Sequence, residues 1–510
     1  MNSVNVNEGG KAAVIIPKST TRTKVRKAAK AIAFTSILLC LISVTSHILS
    51  RPHGEYWATE TGMDLVRRFR GQYDVVFAGT SVVIANISCK VLYDEYGIKS
   101  VSVGEPEQPL FLTKYTIEEL LRYQHPKAIL VDAKSFFYED KRVINAFNEN
   151  EEYYLHNTLD SIHSPFIKRR ALRQVSKYKE GVDEKEYYFR LYNRHSQWKN
   201  LTEFSFQGNM EPSTMNGNIM LTDITDKEEF KRFKGEFSEE SQKEVLRIKE
   251  MCEKAGTDLI LMFSYASLKS NRNQVHWFAE ENQLDLIDFN EVMDEIGFVH
   301  EMYNDAVHFN IAGTTVWSKY IGKYLTGKYS FEPASPKLDT LYKDQSETYA
   351  DYMNCVSNKL RYAKNMNFKE FLKEYLQADM QNTSMFAAVN DDACGALDEE
   401  DIELLHQIGL DGPRYFRGSF AAAYVTDGVI QDNSEAEKIS LSGTDGVLAY
   451  SIESAGGNCE GGPGASIFVN GEEFAKGSRG INIVLFDNKL GKLITSKCFD
   501  TCAVADPRES

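Results

Sequence analysis

The sequence predicts an α/β fold on a parallel sheet, followed by a smaller α+β domain and preceded by one membrane helix. Three observations predict it. Between Tyr73 and about Leu325, short β-rich apolar runs alternate with helical patterns. After about residue 366 the character changes to two helices and a β-rich, glycine-punctuated end. Ala31 to Leu49 is a 19-residue run without Asp, Glu, Lys or Arg.

That run, "AIAFTSILLCLISVTSHIL", is close to the minimum that spans a bilayer. Residues 1–51 carry eight basic side chains and one acid, a net +7 that leaves −22 for the remainder of a chain at −15. Positive charge before the span predicts a cytoplasmic N-terminal tail over 1–30, an anchor over 31–49 and an outward-facing body. The alternatives are a cleaved signal peptide or a buried helix. A long basic region with no clean small-x-small site favours the anchor. The acidic body excludes nucleic acid as a partner, because neutralising phosphates needs a basic face.

The predicted strands are 73–79, 99–104, 128–134, 257–264 and 284–290. The predicted helices are 111–125, 241–255, 272–282 and 311–326. The strands do not alternate polar and apolar residues, as expected when both faces of a parallel sheet are covered. Helix 241–255 ends just before Gly256, a helix stop signal. The interval 140–235 breaks the alternation and reads as an insertion, with a lid over the site as one role. Residues 330–350 hold Pro333 and Pro336, show no core pattern and read as part of a linker over 329–365. The α+β domain then runs over 366–510.

Of eight cysteines, Cys40 lies in the span, and Cys89 and Cys252 read as core or helix residues. Cys355, Cys394, Cys459, Cys498 and Cys502 come late. In an extracellular body some of these are expected to pair, with connectivity open. No CxxC pair or His/Cys cluster has zinc spacing, so no metal is expected, and no cofactor is implied.

The chemistry starts at "VVFAGTSVVIAN", residues 75–86. A buried strand stops on Gly79 and presents Thr80 and Ser81 where a helix begins. A capped turn explains this. So does a nucleophile at the carboxyl end of a parallel strand, where α/β folds place their sites. A serine nucleophile needs a base and a group that orients it. In "YNDAVHFNIAG", Asp305 and His308 stand three apart before the last predicted helix. One imidazole nitrogen can face the carboxylate and the other a serine. A surface Asp–His pair is the plain alternative.

Ser81 in "FAGTS" near the first strand and "DAVH" before the last helix resemble the SGNH/GDSL hydrolase superfamily. "SVSVGEPEQPLFLTKYTIEELLRYQHPKAILVD", "IKEMCEKAGTDLILMFS", "LDLIDFN" and "NDAVHFNIAGTTVWSKYIGKYL" continue the resemblance in order over 52–328. It extends to membrane-anchored bacterial members, such as the D-alanyl-lipoteichoic acid protein DltD and the alginate O-acetyltransferases. The resemblance implies a three-layer, flavodoxin-like domain, Ser81 as nucleophile, His308 as base and Asp305 as its orienting acid. It implies oxyanion N–H groups at Ser81 and Gly104, and a Gln108 that supports the loop or touches substrate. One departure stands out. Better-known members supply an oxyanion Asn after strand three, where this chain reads "VDAKSFFYED". A non-catalytic domain is the rival expectation.

"GASIFVNGEEFAKGSRGINIVLFDNKLGKLITSKCFDT" resembles the interleukin-like epithelial–mesenchymal-transition inducer (ILEI) domain. "FKEFLKEYLQADMQNTSMFAAVNDDACGALDEEDIELLHQIG" resembles its helical half, with Asp391, Asp392 and Ala393 at a turn. The halves come in swapped order, so the domain reads as circularly permuted, which closely spaced termini allow. This resemblance implies glycan binding. Arg479 and Asp500 are expected to be a fold-stabilising pair rather than ligand contacts.

Together these imply an extracytoplasmic enzyme that adds or removes O-acyl groups on a cell-surface polysaccharide or teichoic-acid-like polymer. A membrane-embedded acyl-donor protein is an expected partner. The alternative is a catalytically inactive glycan-binding or scaffolding protein. Trp198 and Trp277 are expected to pack rather than serve as sugar platforms. Sequons at Asn86, Asn200 and Asn382 matter only in a glycosylating pathway.

Overall fold

The computed structural model describes residues 21–49, 58–140, 143–144, 153–188, 191, 198–199, 201, 215–225, 234–378, 380 and 382–502. The chain divides into two compact units, Met1–Pro52 with Asp183–Asn209, and His53–Val182 with Met210–Ser510. The first unit holds the helix Thr21–Leu49, whose stretch Lys24–Ser46 is long and apolar enough to cross a membrane. The basic tail before Thr21 and the sequon at Asn200 lie outside the described residues.

The second unit contains a parallel five-stranded sheet. Its strands are β1 (Val75–Gly79), β2 (Ser100–Gly104), β3 (Ala128–Asp132), β4 (Asp258–Phe263) and β5 (Asp285–Asp288), in the order β2-β1-β3-β4-β5. Every residue of β1, β2 and β3 is buried, so the sheet is covered on both faces. Their apolar runs are the cause. A strand of Val, Ile and Leu has no polar side to turn to water. This order has its switch point between β1 and β3, and α/β sheets bind ligands beyond the strand ends there. The helices Leu110–Leu120 and Glu239–Ala255 lie together, as do Cys89–Tyr96 and Ile311–Lys328. One continuous core includes Val76, Phe77, Ile129, Phe263 and Trp317.

The expected linker is helical. Ser335 caps the helix Pro336–Asp344, with Pro336 in its first turn, and Ser346–Tyr362 follows. A proline there starts a helix rather than breaking it. Leu338 and Tyr342 are fully buried in the α/β core. The Tyr342 hydroxyl accepts from Ser100 N at 2.9 Å and donates to Ser100 O at 2.8 Å, closing the exposed edge of β2. The second helix joins both folded parts. Lys359 pairs with Asp223, and Asp351 pairs with Lys489 of the C-terminal sheet.

Part of the 140–235 interval lies outside the described residues. Two of its helices pack onto the body. Helix Tyr153–Ser161 packs on Ala58–Arg68 and Leu110–Leu120, and helix Pro165–Tyr178 packs on Leu110–Leu120. Asn216 O accepts from Ser102 N at 2.9 Å, which continues the covering of β2.

The C-terminal part is a nine-stranded mixed sheet with its own core on each face. The amphipathic helices Phe368–Gln377 and Glu399–Ile408 cover one face with Phe371, Tyr375, Leu404 and Ile408. Both begin in capping boxes, Asn367 with Glu370 and Asp398 with Asp401. Arg479 and Asp500 do pair, at 2.8 Å and both more than half exposed, a geometry that contributes little stability. None of the eight cysteines is in a disulfide, against the expectation of pairing. The late thiols are engaged elsewhere: Cys502 donates to Asp392 O at 2.7 Å, and Cys459 lies 3.2 Å from the Ser419 hydroxyl. Trp198 and Trp277 are also corrected. They are 62% and 68% exposed, and Trp277 lies off the buried stripe of its helix.

Candidate active site

The first strand ends where the sequence requires it. Gly79 has φ +147°, and a Cβ there would lie 1.7 Å from Asp132 Oδ2. Only glycine fits both conditions. Thr80 follows, and Ser81 opens the short helix Ser81–Ala85. As first residue of that helix, Ser81 has an N–H with no intrahelical acceptor.

Asp132, at the end of β3, fixes this turn. Its Oδ2 accepts the Thr80 N–H at 2.5 Å, and its Oδ1 accepts the Thr80 hydroxyl at 3.1 Å and the Lys134 N–H at 2.9 Å. Burial pushes the Asp132 carboxyl up to about 6, against the pull of the Thr80 and Lys134 hydrogen bonds. Sequence reasoning missed this residue. The signal was there, an acid closing the run "AILVD" where an asparagine was sought.

The second half of the site is the loop from Tyr303 to Asn310. Tyr303 and Phe309 bridge across it, and His308 O accepts from Asn304 N at 2.8 Å. Asp305 Oδ1 accepts the N–H groups of Val307 and His308, both at 2.9 Å. Asn310 then caps the helix Ile311–Lys328. Beneath the loop, Phe289, Phe298, Tyr303, Phe309 and Trp317 form a contiguous aromatic cluster.

One fully buried side chain ties the halves together. Asn86 donates to Ser264 O at 2.5 Å and Val307 O at 2.9 Å, and accepts from Phe309 N at 2.8 Å. It thus grips the residues on either side of His308. The same burial keeps its sequon out of reach of glycosylation.

The three expected residues meet. His308 Nε2 lies 2.8 Å from Ser81 Oγ, and His308 Nδ1 lies 2.8 Å from Asp305 Oδ2. These partners set the tautomer, with Nδ1–H donating to the carboxylate and Nε2 accepting the serine proton. Burial would raise the Asp305 carboxyl. Its hydrogen bond to His308, the nearness of that imidazole and the two loop N–H groups win, holding it well below the usual carboxylate range. Ser81 is 7% exposed, and the His308 and Asp305 side chains are 21% and 47% exposed.

Gly104 pairs with Gly79 across the sheet and packs against the turn. A Cβ on it would lie 2.4 Å from Val83 Cγ2 and 2.7 Å from Thr80 O. Gln108 is 2% exposed, donates to Thr113 Oγ1 at 2.9 Å and accepts from Thr158 Oγ1 at 2.8 Å. Both ends of its amide are thus engaged within the protein. Among the described residues, His276, Asp288 and Glu291 lie close enough to share a cation. Arg272 already bonds Asp288 at 2.6 Å and reaches Glu291 at 3.5 Å, so this is an ion-pair cluster.

No protein-family model matches the chain, and no curated protein sequence matches it. Among solved structures, a GDSL-like lipase from Bacteroides thetaiotaomicron shares 9% identity over 54% of this chain and 100% of its own, with a TM-score of 0.28. The lipase/acylhydrolase from Enterococcus faecalis shares 10% identity over 51% of this chain and 100% of its own, with a TM-score of 0.27. Neither likeness bears on the chemistry, which rests on the side chains themselves.

Proposed function

We propose that the chain is a serine esterase or acyltransferase of the SGNH type. The relay Ser81–His308–Asp305, with 2.8 Å at each link, carries the proposal. His308 Nε2 takes the Ser81 proton as Oγ attacks an ester carbonyl. Asp305 holds Nδ1–H and stabilises the imidazolium that forms. Collapse of the tetrahedral intermediate returns the proton to the leaving alcohol and leaves an acyl-serine. The N–H groups of Ser81 and Gly104 hold the oxyanion. Water or a sugar hydroxyl then accepts the acyl group.

The helix Thr21–Leu49, with positive charge on its N-terminal side, supports a membrane-anchored body facing outward. That placement supports a cell-surface polysaccharide or teichoic-acid-like acceptor, with acyl groups supplied by a membrane-embedded partner. The ILEI-like, permuted C-terminal domain would hold glycan. A second function, non-catalytic glycan binding, is favoured by the 7% exposure of Ser81 and by the missing oxyanion Asn.

A fluorophosphonate probe on the full chain separates the two. Labelling of Ser81 that Ser81→Ala and His308→Ala abolish establishes the nucleophile. A chain that does not label is a binding protein. p-Nitrophenyl acetate turnover by the labelling-competent protein then reports whether water serves as acceptor.

A further inference from the structure

We infer that the outward face of helix Pro165–Tyr178 docks onto an anionic lipid bilayer. The stretch "PFIKRRALRQVSKYK", residues 165–179, holds six basic residues and no acid. At about 100° per residue, Ile167, Lys168, Ala171, Leu172 and Val175 share one face. That face is buried against the body. Phe166, Arg169, Arg170, Arg173 and Lys177 share the opposite face, and all are exposed. The helix is thus held from behind and presents cations in front.

Arg170 pairs with Glu118. Arg169, Arg173 and Lys177 make no ion pair or hydrogen bond among the described residues. They follow one another four residues apart, about 6 Å along the axis. A single free cation is an ordinary solvated side chain. Three in one row, on a body that carries −22 beyond residue 51, select an anionic partner by charge.

Phe166 decides which one. It lies on the same face, three residues before Arg169, and is 81% exposed. A soluble polyanion would neutralise the three cations and leave the ring in water. An anionic bilayer meets both needs, with phosphates for the cations and an apolar boundary just beneath for the ring. The same chain carries a helix long and apolar enough to cross a membrane, so a bilayer is at hand.

The test uses the full chain with Phe166→p-benzoylphenylalanine in nanodiscs, either phosphatidylcholine alone or phosphatidylcholine with phosphatidylglycerol. On illumination, position 166 is expected to form lipid adducts in the anionic discs, several-fold above the neutral ones. The yield should fall about fivefold for each of R169E, R173E and K177E, and to background in the triple variant. Salt at about 0.5 M should reduce it as well. Circular dichroism of the triple variant checks that it is folded. Equal adduct yields in both disc types, or yields untouched by the triple reversal, overturn the proposal. So does retention of polyphosphate through the three cations without lipid adducts, which would identify a soluble polyanion. Each outcome is independent of whether Ser81 is catalytic.

Discussion

Asp132 holds Thr80 twice, one carboxylate oxygen accepting its N–H at 2.5 Å and the other its hydroxyl at 3.1 Å. Lys134 N also donates to this carboxylate, so its three hydrogen-bond partners among the described residues are all donors. Asp132→Asn turns one acceptor into an NH₂ that faces a donor. The expected cost is about 1–3 kcal/mol in unfolding free energy. The displaced turn should slow fluorophosphonate labelling of Ser81 on the order of 10²-fold. Labelling at the wild-type rate would show that Asp132 does not position the serine.

Asp132 also sets a pH dependence. Burial raises its carboxyl from 3.8 to about 6. Between those values the folded chain keeps a proton that the unfolded chain has released. Stability on this account falls as pH rises from about 4 to about 6 and is level above. Urea midpoints at pH 4, 5, 6 and 7 should show this slope in the wild type and its loss in Asp132→Asn. Asp305 acts in the opposite sense, since its carboxyl is held low. Its contribution is fully present above the unfolded value and lost only as pH falls towards strong acid.

Within the relay, Asp305→Asn keeps size and removes charge. It leaves His308 free to take the wrong tautomer, and turnover should fall by about 10³–10⁴-fold with little change in KM. Ser81→Ala and His308→Ala should fall to the background rate of p-nitrophenyl acetate hydrolysis. A D305N enzyme within tenfold of wild type would remove the carboxylate from the mechanism.

The two glycines of the turn should separate stability from activity. At Gly79 a Cβ meets Asp132 Oδ2 at 1.7 Å with φ +147°, so Gly79→Ala should destabilise the fold severely. At Gly104 the nearest obstacles are a Val83 methyl at 2.4 Å and Thr80 O at 2.7 Å. Gly104→Ala is expected to fold and to lose most of its acylation rate, because the serine turn must move. Thermal melts beside labelling kinetics decide this, and equal losses in both variants would count against it.

Asn86→Ala leaves Phe309 N and two carbonyls without their partner in a fully buried place. A loss of about 3 kcal/mol is expected, with a looser His308 loop. Faster amide exchange at Val307 and Phe309 would report that loosening, and unchanged exchange would contradict it.

The parallel sheet and the relay were legible because each depends on local pattern. Buried parallel strands are unbroken apolar runs, and Ser81 and His308 sit at strand and helix boundaries that sequence marks clearly. Predicted helix 311–326 and observed Ile311–Lys328 agree for the same reason. What escaped was what depends on a distant partner. Asn86 and Asp132 look like ordinary polar ends of apolar segments until Phe309 and Thr80 are brought to them. Pro336 read as a breaker because its capping serine was not weighed. In "NRNQVHWFAEE", Val275, Phe278 and Ala279 form the buried stripe and Trp277 falls off it, a spacing that could have placed the indole outside.

The relay also has a kinetic meaning. Ser81 and His308 stand 227 positions apart, and their hydrogen bond requires β1 and the loop after β5 to be in final register. Contacts of such separation form late, because long loops must close first. A nascent or partly folded chain therefore holds an inert serine. The hydroxyl gains its base only when the α/β sheet is complete. An active-site probe applied during refolding should thus act as a clock for the last step of assembly, lagging behind the recovery of secondary structure.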